Sequence, residues 1–160
     1  LDEVFRAIQV IGDACGANAA ARRTVDGLKA RVAAVESKTA VTPADSRPRV
    51  FVEIWNDPLM TAGAGTFVDD LVRRAGGRNV VGHIDGWPQI SPETVISAHT
   101  DVVILTCFNR AEVMARHEWR KVPAIVQGRV FEVHPDLMVR PGPRLVDGLE
   151  TLAGLFAGAQ

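Results

Sequence analysis

Val102-Val103-Ile104-Leu105 is an unbroken apolar run, and it limits the folds open to this chain more than any other stretch. A strand without polar alternation must be covered on both faces, which is the condition of a parallel sheet packed between helices. The surrounding pattern agrees, because strand-like and helix-like segments alternate from Arg49 onward. Val50 to Trp55 reads as a strand, and Thr66 with Asp69 opens a helix carrying Phe67, Leu71 and Val72, which Gly76-Gly77 ends. A short strand at 79–81, helices at 92–98 and 110–117 and a strand at 129–133 follow. The last helix takes Pro143 in its first turn and shows Leu145, Leu149, Leu152 and Phe156 as its apolar stripe. This alternation predicts an α/β fold, a mainly parallel sheet flanked by helices.

The first residues are different. Leu1, Phe5, Ile8, Ile11 and Cys15 recur at helical spacing, and Gly16 can end that helix in a left-handed conformation. Asn18 can cap a second helix, with Ala21, Val25, Leu28, Val32 and Val35 as its stripe, running to about Lys38. The chain therefore divides into a helical segment at 1–38, a proline-bearing linker at 39–48 and an α/β unit at 49–160. A length of 160 residues suits a sizeable core. A net charge of −1 with no basic stripe argues against nucleic acid as the main partner. No apolar run reaches the length of a membrane span, so direct membrane insertion of this segment is not expected. Cys15 and Cys107 have apolar neighbours and read as buried thiols, with a disulfide left open.

Parallel sheets bind ligands outside the carboxyl ends of their strands. The segments leaving those ends are 55–65, 106–109 and 134–142, and with the loop that carries Trp87 they supply Trp55, Met60, Trp87, Phe108, Asp136, Met138 and Arg140. Flat aromatics, thioethers and a guanidinium suit a large, partly apolar ligand with polar or anionic edges. The competing reading makes Trp55 and Met138 simple core residues. Arg140 resists it, because a guanidinium between Val139 and Pro141 needs solvent or an anion. The set favours binding over catalysis.

Other chemistry is thinly represented. None of His83, His99, His117 and His134 falls in a paired metal-ligand spacing, and only His134 lies at a strand end. An enzyme alternative, a metal-dependent hydrolase or transferase, would use His83, His134 and Asp136. The glycine-rich stretch 61–66 leads into a helix but lacks a following lysine, so a tight turn accounts for it better than a phosphate loop. No hydrolase nucleophile elbow is present.

The string Asp85-Gly86-Trp87-Pro88-Gln89-Ile90-Ser91-Pro92-Glu93 places an indole just ahead of a helix start. Ser91 can accept from the first-turn amides, Pro92 suits the first helical position, and Glu93 is favoured there by the helix dipole. Two readings are open: a core tryptophan beside an ordinary cap, or a ligand-gripping indole beside a partner-facing carboxylate.

Several strings together resemble the carboxy-terminal lobe of the ABC-importer solute-binding proteins that carry cobalamin, haem and iron-siderophores. They are Val50-Phe51-Val52-Glu53 with Asp57-Pro58 and Thr61-Ala62-Gly63; Phe67-Val68-Asp69-Asp70-Leu71 with Ala75-Gly76-Gly77-Arg78-Asn79-Val80; Trp87 to Glu93; and Arg140 to Leu149. The Trp87 string is most similar to the cobalamin-binding branch. The resemblance runs from residue 1 to about residue 157. It implies that the long helix ending near Lys38 is the interlobe backbone helix, that residues 49–160 are one ligand-binding lobe, and that an amino-terminal lobe is absent here.

It further implies a transported ligand rather than a cofactor: cobalamin or a related corrinoid, with ferric siderophore or haem as the alternative metal chelate. Trp87 would lie against the ligand and Arg140 on its polar edge, with Asp136 and Met138 on the same loop and Trp55 to Met60 as the neighbouring wall. Glu93 would dock on arginines of the membrane permease subunits. The location would be periplasmic or otherwise extracytoplasmic, with a lipid anchor on the full-length protein. The chain has no tyrosine, so it cannot itself supply a tyrosinate ligand to haem iron.

Overall fold

The computed structural model describes residues 1–107 and 109–158. Four strands form one parallel sheet: β1 (Arg49–Glu53), β4 (Arg78–Asn79), β5 (Val102–Leu105) and β6 (Val130–Glu132), in the order β4-β1-β5-β6. A small antiparallel hairpin, β2 (Trp55–Asn56) and β3 (Leu59–Met60), leaves the end of β1. The residue pattern alone carries β1 through Trp55. The chain instead breaks at Ile54, and the hairpin takes Trp55 out of the sheet.

The expected double burial is present. Side chains alternate across a strand, and β1 sends Val50 and Val52 into one apolar cluster and Phe51 into the other. Val102 and Ile104 of β5 join the first cluster, and Val103 and Leu105 the second. Helices α1 (Asp2–Ala14), α2 (Asn18–Thr39), α3 (Phe67–Arg74) and α8 (Leu145–Ala157) cover the first face. The second is covered by α4 (Pro92–Ser97), α5 (Arg110–Ala115) and α6 (Pro123–Val126), with Trp119 buried between them. A one-turn helix, α7 (Pro135–Met138), follows β6.

Helix α2 buries the predicted stripe of Ala21, Val25, Leu28, Val32 and Val35. Arg31 then bridges to Asp147 and Glu150 of α8, each at 2.6 Å. The helix is preceded by Ala17 rather than capped by the Asn18 side chain. In α1 the inward stripe is Leu1, Val4, Phe5, Ile8 and Gly12, which follows the 3.6-residue period more closely than the predicted set. Ile11 and Cys15 consequently rotate into solvent, so the expectation of a buried Cys15 thiol fails. Both cysteines are free.

The amino ends of the two central strands are locked by one side chain. Asp101 accepts from the Arg49 amide, Nε and Nη2, each at 2.8 Å, while its own amide donates to the Arg49 carbonyl at 2.8 Å. Burial alone would raise the Asp101 carboxyl, but the hydrogen bonds from Arg49 outweigh it and the group titrates below its ordinary range. A folded value below the unfolded one means the clamp stabilises above about pH 4 and is lost as pH falls through the folded value. Asp101→Asn should therefore cost about 1 kcal/mol near neutrality. In urea titrations the gap to wild type should narrow as pH falls below about 4, and a gap independent of pH would rule the clamp out.

Candidate functional site

Because the sheet is parallel, every chain exit from a carboxyl end opens on the same side. Sheet order sets out what stands there: the loop after β4 with Trp87, the β2–β3 hairpin after β1, residues 106, 107 and 109 after β5, and α7 with Arg140 after β6.

The Trp87 loop and the hairpin exit are laced together by backbone bonds. Ile90 N donates to Leu59 O at 3.0 Å, Thr61 N to Pro88 O at 3.1 Å, and Gly63 N to Gly86 O at 2.8 Å. A Cβ at residue 63 would strike the Ile84 carbonyl, so Gly63 is required by this close approach. The tight-turn reading of residues 61–66 holds. Thr66 closes the first turn of α3 by accepting from the Asp69 amide at 3.1 Å.

Trp87 is 43% exposed and rests edge-on against Phe67, with ring centroids 5.5 Å apart. Trp55 is 55% exposed, and its Nε1 donates to Asp57 O at 2.9 Å, which holds the ring over the hairpin. Met60 pairs directly with Trp55 across the hairpin, so the two side chains share a face. Leu59 points the other way, into the second apolar cluster, and anchors the hairpin.

On the β6 side, His134 caps α7 through its Nδ1, which accepts from the Asp136 amide at 3.2 Å. The Asp136 carboxylate takes Arg140 at 2.8 Å and Arg144 at 3.2 Å. Arg140 needed solvent or an anionic partner and has both within the chain: Asp136 pairs with it, and its side chain remains 76% exposed. Two guanidiniums around one carboxylate leave this corner net positive.

Met138 does not belong to the site. It is fully buried in the first apolar cluster, because the single turn of α7 directs it under the loop toward α8. Phe108 lies outside the described residues. Phe67 joins the site although its sequence pattern marks it only as part of a helix stripe. The signal was present, since a helix following β1 in a parallel sheet starts at the carboxyl side, and Thr66 fixes that start. A cavity of about 580 Å³ opens between the start of α1 and α3, lined by Leu1, Val4, Phe67, Asp70, Arg74 and Pro141; neither Trp87 nor Arg140 lines it.

The metal-enzyme alternative is overturned. His83 follows β4 and His134 follows β6, at opposite edges of the sheet and three strand spacings apart, roughly 14 Å. No group of three or more His, Cys, Asp or Glu among the described residues could hold a metal ion. Burial raises the Cys107 thiol, which donates to Ile54 O at 3.1 Å.

Glu93 stands exposed in the first turn of α4. Ser91 occupies the cap position without capping: its hydroxyl and the Glu93 amide instead hold the Glu93 carboxyl below its ordinary range.

The family profile described as periplasmic binding protein matches residues 1–137. The chain belongs to this family. An uncharacterized ABC transporter substrate-binding lipoprotein of Bacillus subtilis is 31% identical over 153 residues, covering 94% of this chain and 49% of that protein. A cobalamin-binding protein of Halobacterium salinarum is 31% identical over 167 residues, covering 98% of this chain and 44% of that protein. The periplasmic haem-binding protein of Roseiflexus sp. RS-1 shares the fold at a TM-score of 0.87, with 24% identity over 99% of this chain and 63% of that one. The chain spans about half the length of the relatives it matches. Periplasmic binding proteins of this kind are substrate-binding components of ABC transporters and are not enzymes.

The position of the Arg140 corner depends on one glycine. A Cβ on Gly148 in α8 would collide with the carbonyl of Leu137, backbone that cannot swing aside. Gly148→Ala should destabilise the chain by about 1–3 kcal/mol through overpacking. An unchanged urea midpoint would show that α7 can lift off α8 without cost.

Proposed function

We propose that this chain is the carboxy-terminal ligand-binding half of an ABC importer's solute receptor, and that it captures cobalamin or a related corrinoid for delivery to a membrane permease. The observation that carries the reading is the open aromatic face at the carboxyl side of the sheet: Trp55 with Met60, Trp87 backed by Phe67, and the Arg140–Asp136 pair beyond them. Such a face suits a broad, flat ligand whose rim carries amide and anionic groups. The similarity to the cobalamin-binding protein of Halobacterium salinarum supports a corrinoid as the occupant. Ferric siderophore or haem is the second reading, since the same rings would receive any large chelate. The absence of tyrosine weighs against haem held by tyrosinate from this half.

Magnitudes favour a two-sided site. An indole buries ~150–250 Å², and about half of each ring is open here, so covering both removes on the order of 200 Å² from water. At ~25 cal/mol per Å² that contributes about 5 kcal/mol. Association costs ~4–15 kcal/mol in lost freedom, so this face alone binds weakly and a second wall supplies the rest.

Glu93 is the permease-docking residue in this reading. It projects from α4, close in sequence to Trp87, and its ionised form is favoured. The similarity to a substrate-binding lipoprotein supports an extracytoplasmic setting, and no helix among the described residues is long and apolar enough to cross a membrane.

Titration with cyanocobalamin, a ferric hydroxamate and haem, followed by tryptophan emission, tests the ligand. Trp87→Ala and Arg140→Ala should each weaken the binding at least tenfold, about 1.4 kcal/mol. Silence toward all three chelates from the unmodified protein overturns the reading. In the full-length protein, Glu93→Arg should reduce uptake while leaving the ligand Kd unchanged; normal uptake removes Glu93 from the docking role.

A further inference from the structure

The carboxyl end of β1 holds a charge that the aromatic face does not use. Glu53 is completely buried. Its Oε2 receives Arg116 Nη1 at 2.7 Å, and its Oε1 receives Asn109 Nδ2 at 2.6 Å. The Arg116 side chain is 14% exposed and lies 4.6 Å over the Trp119 ring, which in turn packs edge-on against Phe51 of β1. Residues after β5 add their own ties to the same strand end. Thr106 N and Oγ1 both donate to Glu53 O at 3.1 Å, and Cys107 Sγ donates to Ile54 O.

Stability is a poor reason to keep such a pair, because the desolvation of a buried ion pair cancels most of its attraction. Location offers a better one. Ile54 leads directly into the Trp55 hairpin, Asn109 precedes α5, and Arg116 follows it. The carboxylate therefore joins the exits of the two central strands at the point where both turn toward the mouth. Among the described residues Asn109 Oδ1 is buried without a partner, a cost accepted while its Nδ2 serves Glu53.

We propose that Glu53 and Arg116 are positioning residues: together they fix the Trp55 hairpin against the segment after β5 and so set the shape of the wall presented to the ligand. This deepens the binding reading above and rests on it for the ligand, but the positioning itself can be measured without one. The decisive variant is Glu53→Leu with Arg116→Leu, which removes both charges and leaves neither unpaired. Its urea stability should fall by no more than about 1–3 kcal/mol, the cost of the Asn109 amide left without Glu53. Amide exchange in residues 54–61 should accelerate at least tenfold, while the β5 amides keep their protection. Cyanocobalamin affinity, followed in parallel, should fall at least tenfold.

Unchanged hairpin exchange in a stable double variant overturns the proposal. So does wild-type cyanocobalamin affinity in that stable variant. A wild-type chain blind to cyanocobalamin counts against the corrinoid reading, and the exchange measurement still decides the positioning role. Should the double variant fail to fold, Asn109→Ala keeps the ion pair and removes only its tie to the segment. Faster exchange at Thr106 and in the hairpin is then expected, and wild-type exchange there overturns the proposal equally.

Discussion

The parallel pairing of β1 with β5 is the constraint from which the rest follows. Each strand feeds alternate side chains into both apolar clusters, so neither has a solvent face on which polar groups could be placed. Charge is pushed to the two ends of the pair. At the amino end Arg49 and Asp101 close the strands with a half-exposed clamp. At the carboxyl end Glu53 and Arg116 do so with a buried one, just under the surface where the loops diverge. The carboxyl side is thus framed by a sheet pinned at both ends of its central pair, while the residues aimed at solvent sit on the connections.

How far this could be read from sequence depended on which force set each feature. Val102 to Leu105 announced a two-sided strand, and the stripe of α2 announced its buried face, because both follow from periodic burial alone. The hairpin at 55–60 was hidden, since two-residue strands carry no periodicity and depend on pairing with the exit from β1. In α1 the true stripe ended on Gly12, which has no side chain to mark it; the eye follows Ile11 and Cys15 instead.

The site divided in the same way. Trp55, Trp87 and Arg140 were legible as solvent-facing side chains at the carboxyl side of the sheet, because they stand in the connections rather than in the periodic segments. Met138 was misplaced because sequence cannot show which way a single helical turn faces. Glu53 was legible only as a strand residue. Its partners, Asn109 and Arg116, lie more than fifty positions away, and long-range pairing leaves no local mark. Ser91 shows a subtler limit: the residue types for a cap are all present, yet its hydroxyl serves a neighbouring carboxylate.

The contact between Gly148 and the Leu137 carbonyl bears on how such proteins diversify. With no room for a methyl group between Gly148 and the Leu137 carbonyl, the α7 corner sits directly on α8 and its path follows that helix. On the proposed reading, new specificity on this side would then come from exchanging what residues 136 and 140 carry, on a scaffold whose path stays put.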